Sequence, residues 1–132
     1  MEVGHLEQDA VDREISSKAK EWIEEYGEEF LVELIDAYLE DAPNRVANLR
    51  DAFDSGNMEN VINEAHTLKS SSANIGAMAL SALAKQMEFA GRNGQFEGMA
   101  EEVQRVEMEF IRVKTALEVL RVSPSKCAIQ EQ

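Results

Sequence analysis

The chain of 132 residues has little of what interrupts helices or staples small domains. Two prolines and seven glycines leave long stretches without a break. A single cysteine, Cys127, excludes any disulfide within the chain. No apolar run is long enough for a membrane span, and the opening MEVGHLEQDA is acidic rather than signal-like. No segment alternates with period two, so no sheet is expected. Basic side chains are scarce: 13 against 26 acidic ones, a formal charge of −13. That excess repels phosphate backbones and anionic lipid surfaces, and no local basic patch offsets it. Neither nucleic acid nor a membrane is an expected partner, and the cytoplasm follows as the expected compartment by exclusion. A soluble partner with a basic or apolar face fits better.

What is present suits helices. Hydrophobic residues make up 44% of the chain with only 6% aromatic, and Ala, Leu, Glu and Met are plentiful. The length is that of one domain, and a chain of this size buries roughly two-thirds of its unfolded surface without staples. Residues 1–11 show no periodicity and read as a flexible tail. From about Asp12, the residues Ile15, Ala19, Trp22, Ile23 and Tyr26 recur at helical spacing up to Gly27. A second stripe joins Leu31, Ile35, Tyr38, Ala42, Val46, Leu49 and Phe53. It keeps its phase across Pro43, which predicts one helix kinked there rather than two.

Asp54 to Asn57 reads as a turn. A third helix is predicted over 58–73, interrupted by Asn74-Ile75-Gly76, and a fourth from near Ala77 through Leu80, Leu83, Ala84, Met87 and Ala90. GRNGQ, 91–95, reads as a turn with two glycines. The last stripe, Phe96, Met99, Val103, Val106, Phe110, Val113, Leu117 and Leu120, alternates steps of three and four. Beyond Ser123-Pro124 a second flexible tail is expected. Four long amphipathic helices joined by short turns predict an all-α, antiparallel up-and-down four-helix bundle over 12–122, with an additional short N-terminal helix capping one end. The opening Met and the two tails lead to the expectation of a free-standing protein. The last stripe also fits a coiled-coil dimer seam, but beside three other amphipathic helices it is expected to staple one bundle, giving a monomer.

The stretch AHTLKSSS, 65–72, carries the candidate chemistry. At about 100° per residue, with Ala65 at the centre of the inner stripe, His66 lies about 100° round, on the shoulder between core and solvent. Glu59, Ser70 and Ala73 share that shoulder, and Ile62 lies at the edge of the stripe. Helical side chains lean toward the N-terminus, so position 70 covers the ring, and a serine there leaves it open. Lys69, three residues on, can bring its ammonium toward the imidazole edge. A nearby cation favours the neutral ring. A neutral imidazole can attack a phosphoryl group, and the lysine can neutralise the transferred charge. A histidine on a helix shoulder is also commonly no more than a solvated residue. Metal binding has little support: His5 is the only other histidine, no Cys cluster or HExxH occurs, and the two Glu-x-x-His pairs that a carboxylate di-metal site requires are not present, His66 having Asn63 at that spacing. Serine catalysis lacks a second histidine as base and a G-x-S-x-G elbow.

AHTLKSSSANIGA, 65–77, resembles the signature of the histidine-phosphotransfer (HPt) domain family, A-H-x-L-K-G-S-S-x-x-x-G. FLVELIDAYLEDAPNRVANLRDAF, 30–53, resembles the family's long second helix. The turn at Ser55-Gly56-Asn57 matches the turn before its active-site helix, and LAKQMEFAGRNG, 83–94, matches the L-x-x-x-[LMI]-E-x-x-G-R-x-G run after it. The likeness spans roughly residues 12–120.

The resemblance implies a phosphorelay intermediate without kinase activity of its own, a phosphoryl carrier rather than a complete enzyme. His66 would accept the group from a receiver-domain aspartyl phosphate, or from a kinase, and pass it to another response-regulator receiver. Lys69 would steady the phosphoryl oxygens, Glu88 would orient the imidazole, and Arg92 matches the arginine of the family's G-R pair. Glu59, Ile62, Ser70 and Ala73 would meet the partner. Response-regulator receivers and a hybrid sensor histidine kinase are the implied partners. No cofactor or metal is expected in this chain, the Mg²⁺ belonging to the receiver. Ser70 stands where the family usually has glycine, which bears on how closely a receiver can dock. A competing reading is an adaptor that binds and sequesters a receiver or kinase without taking phosphate, although such a protein has no need of the His-Lys pair.

Overall fold

The computed structural model describes residues 3–125, with side chains from residue 6 onward. Among them are five helices and no strand: α1 Val3–Tyr26, α2 Glu28–Asp54, α3 Met58–Ile75, α4 Met78–Arg92 and α5 Met99–Val122. α2 packs on α3, α3 on α4, α4 on α5, and α5 back on α2, while α1 lies along α5 and α2. The core is their shared interior, filled by residues such as Ile15, Leu31, Ile35, Leu49, Leu68, Leu80, Met87, Met99 and Leu117. Burial of each such side chain contributes about 1.5–3 kcal/mol.

The helix ends follow from local chemistry. Gly27, at φ +93°, divides α1 from α2, and Glu28 and Glu29 place negative charge on the first turn of α2. Pro43 lies within α2, which runs unbroken through it. The Asn57 side chain caps α3 by accepting from the Asn60 N–H at 3.2 Å. α3 closes in a Schellman motif: Ala77 N–H bonds Ser72 C=O at 2.8 Å and Gly76 N–H bonds Ala73 C=O at 3.1 Å. Gly76 is required twice over. Its φ is +93°, and a Cβ there would sit 2.5 Å from Lys18 Cβ. α4 has no capping side chain of its own. Glu14 of α1 takes that place, accepting from the Ala79 N–H at 3.3 Å.

Five sequence expectations are corrected. Residues 3–11 are helical, not a tail, because they lean on α5. Glu7 pairs with Arg112 at 2.7 Å, Gln8 donates to the Arg112 carbonyl at 2.9 Å, and Val11 is 3% exposed. The N-terminal helix is therefore not short. It has 24 residues against 15 in α4, and its middle lies over one end of the bundle, where Glu14, Lys18 and Trp22 meet Ala79, Gly76 and Asn74 at the α3–α4 turn. α4 extends through Gly91 and Arg92, and the chain reverses after it, with Gly94 at φ +68°. The last helix begins at Met99, not Phe96: Gly98 at φ +81° starts it, and Phe96 is 46% exposed. α3 also runs two residues beyond Ala73, to Ile75. Ser123 to Ser125 are non-helical, whereas the rest of the expected C-terminal tail, including Cys127, lies outside the described residues. No helix among the described residues is long and apolar enough to cross a membrane.

Candidate functional site

α3 and α4 form the site. Their separation is set by Gly91, where a Cβ would come within 2.7 Å of Ile62 Cγ1. Only a hydrogen side chain lets the helices approach this closely. The Ser81 hydroxyl adds a second tie, donating to the Lys69 carbonyl at 2.8 Å. Held in this way, α3 presents His66 and Lys69 on the face beside α4, and α4 presents Glu88 and Arg92 back to them.

The His66 side chain is 55% exposed, as its shoulder position predicts. Its Nδ1 lies 2.8 Å from Glu88 Oε2. A carboxylate accepts only, so Nδ1 carries the proton in this pair, and Nε2 is the nitrogen left with a lone pair for chemistry. Lys69 does not stand against the ring, as the sequence had suggested. Its Nζ lies 2.8 Å from Glu88 Oε1, because a carboxylate attracts the ammonium where a neutral imidazole edge does not. Arg92 donates to Glu88 Oε2 through Nε at 3.1 Å and Nη2 at 2.8 Å.

Glu88 is thus the hub. Its side chain is 9% exposed, yet its carboxyl is held down to about 2, first by the hydrogen bond from Lys69 and then by those from Arg92 and His66, against the opposing cost of burial. It is ionised at every physiological pH. The four residues singled out as chemical, His66, Lys69, Glu88 and Arg92, therefore meet in one cluster. Of the other four, Glu59 and Ser70 are exposed, and Ile62 and Ala73 are half-buried, all on α3. The Ser70 hydroxyl reaches the His66 carbonyl at a long 3.5 Å, so it makes at most a weak bond within its own helix.

Sequence reasoning missed two contributors. Gly91 read as part of a turn, although its place before Arg92 and its lack of a positive φ make it a helix-packing glycine. Ser81, buried on α4, gave no motif signal, and only the third dimension shows what it holds.

The sequence profile of the Hpt domain matches residues 33–121, about two-thirds of the chain. The chain belongs to the Hpt domain family. Its fold is also that of the crystal structure of histidine-containing phosphotransfer protein B (HptB) from Pseudomonas aeruginosa PAO1. That likeness has a TM-score of 0.74 and 26% identity, and it covers 80% of this chain and 90% of that one. A search of curated proteins found no match. Hpt domains are phosphotransfer modules of two-component signalling that work with receiver domains and histidine kinases. The site described above lies within the matched span.

Proposed function

We propose that this Hpt protein is a phosphorelay intermediate with His66 as the phosphorylated residue. It takes the group from a receiver aspartyl phosphate, or from a kinase, and hands it to the aspartate of another receiver. One observation carries this reading: a half-exposed imidazole is tied at Nδ1 to a buried, ionised carboxylate, which leaves Nε2 as the nucleophile.

The step balances without a proton transfer. The Nε2 lone pair attacks phosphorus and the N–P bond forms. The P–O bond to the donor's aspartate breaks, and its electron pair leaves with the carboxylate. The proton stays on Nδ1, where the positive charge that the ring gains faces Glu88 at 2.8 Å. Lys69 supplies a cation to the phosphoryl oxygens. Attack on an electrophile held in line gains from an imidazole whose orientation is fixed beforehand. The receiver supplies the acidic pocket and the Mg²⁺ that offsets charge on the departing group. The protein is a carrier and works as a monomer.

The scaffold of this reading is an antiparallel up-and-down bundle of α2 to α5. Its support is the pairing between helices, whose residue numbers run in opposite directions. Tyr38 meets Ser72 and Arg45 meets Glu64 across α2 and α3, while Arg50 meets Glu107 and Asp36 meets Arg121 across α2 and α5. Glu59, Ile62, Ser70 and Ala73, on the same helix as His66, receive the partner's helix over a small, transient interface. The test is transfer from a phosphorylated receiver. Wild-type protein should strip the receiver of phosphate and gain an acid-labile phosphate, and His66→Ala should do neither. Binding of the receiver without any transfer would point instead to a sequestering adaptor.

A further inference from the structure

Glu88 is oversubscribed. One carboxylate, nearly buried, holds the Lys69 ammonium on Oε1 and the Arg92 fork and the imidazole on Oε2. The cluster has two cations for one anion, a formal surplus of one positive charge while the ring is neutral. A dianionic phosphoryl group on Nε2, together with the ring cation that its attachment creates, brings the same cluster to zero. The surplus suits an incoming anion. Yet the cation that must serve that anion, Lys69, is already engaged.

The two cations differ in what they can do. Lys69 is a point charge on a flexible stem, anchored on α3 three residues after His66, so turning its side chain alone can carry Nζ toward Nε2. Its backbone stays fixed through the bond from Ser81 to its carbonyl. Arg92 sits on α4 one turn after Glu88, moves with it, and grips it with two N–H groups of a planar fork. Were Lys69 to leave without that fork, a nearly buried carboxylate would keep only the ring as partner, and the departure would be opposed.

We propose that Arg92 is a positioning residue: it holds the Glu88 carboxylate so that Lys69 can exchange between Glu88 and the phosphoryl group in each transfer cycle. The inference rests on His66 being the phosphoryl acceptor, and it adds a role to a residue more than half exposed, whose ion pair would otherwise matter little.

Phosphoramidate is the donor of choice for the test, because a donor this small docks on nothing and releases only ammonia. The first-order rate of His66 phosphorylation is measured by intact mass for the wild type, Arg92→Ala, Arg92→Lys, Glu88→Gln and the Arg92→Ala/Glu88→Gln pair, each confirmed as folded by circular dichroism. Arg92→Ala should slow the reaction about fivefold, and Arg92→Lys should recover part of the loss. In the Glu88→Gln background, where no carboxylate traps Lys69, removing Arg92 should cost less than twofold. Three results would overturn the inference. An unchanged rate for Arg92→Ala would show that Lys69 needs no help. An equal loss in both backgrounds would place Arg92 directly on the phosphoryl group. A loss seen only with a phosphorylated receiver as donor would make it a docking contact. Failure of the wild type to take phosphate on His66 would overturn the reading beneath, and this inference with it.

Discussion

Adding one methyl group at Gly91 should loosen the site without touching any residue that does chemistry. The new Cβ would stand 2.7 Å from Ile62 Cγ1 and 3.3 Å from its Cδ1. Carbon atoms rest at roughly 3.5–4.0 Å, so about 1 Å of overlap must be relieved, and the crowded atom is near the root of the Ile62 side chain rather than at its tip. Overpacking of this kind costs about 1–3 kcal/mol. Replacing glycine by alanine inside a helix returns about 1 kcal/mol. Gly91→Ala should therefore destabilise by about 1 kcal/mol, as read by urea denaturation. The strain has a direction, because Gly91 lies one turn after Glu88 and Ile62 one turn before His66. Pushing α3 from α4 lengthens the 2.8 Å bond between Nδ1 and Glu88, so phosphorylation of His66 should slow as well. Ile62→Ala removes the atoms in conflict, and in that background Gly91→Ala should be neutral or stabilising. If Gly91→Ala has the same effect in both backgrounds, the close approach is not what fixes the helices, and the argument from Gly91 fails.

Other consequences can be measured on the same protein. Glu88 is held at about 2 against an ordinary value of 4.5, chiefly by Lys69. A lowered folded value means that the ionised carboxylate stabilises the fold above about pH 4.5 and that this contribution is lost as pH falls toward 2. The two values imply a ceiling of roughly 3 kcal/mol, and about 2 is expected with exposed partners. Acid unfolding of Glu88→Gln should lack that part of the pH dependence, and an identical acid limb would contradict it. Tyr38→Phe removes the buried 2.9 Å bond between the phenol and the Ser72 hydroxyl. It should cost about 1 kcal/mol in thermal melting, and Tyr38→Phe/Ser72→Ala should recover part of the loss. Ser70→Gly should cost about 0.5 kcal/mol of stability, the difference between serine and glycine at an exposed helical position. It should leave phosphate acceptance from a receiver unchanged or faster, and a large loss would mean that the hydroxyl, not the openness of the site, matters.

Most of the helical layout was legible because a buried stripe is a local signal. Val61, Ala65, Leu68 and Ser72 mark the inside of α3 by spacing alone, and all four are buried. The same logic set His66 on the shoulder. It failed where the deciding contacts are long-range or where a turn preserves phase. Among the described side chains of residues 6–11, Val11 is the buried apolar one, and the anchors are polar contacts to Arg112, about a hundred positions away. Phe96 keeps the three-four rhythm of α5, yet it lies in the turn before that helix, with Gly98 at positive φ between it and Met99. A rhythm cannot register a turn of matching length. Lys69 was placed correctly on its row, but which neighbour would take its ammonium depended on Glu88, and that residue's nearness is a property of packed helices. Gly91 shows the converse case. Its residue type was plain, and its purpose needed Ile62.

The most direct test of the central claim is intact mass after incubation with phosphoramidate, recorded under neutral and then acidic conditions for the wild type and His66→Ala. With His66 as the acceptor, the wild type gains one phosphoryl group, stable at neutral pH, lost in acid and absent from the variant. A phosphoryl group that survives acid, or one that the His66→Ala protein acquires equally well, would contradict it.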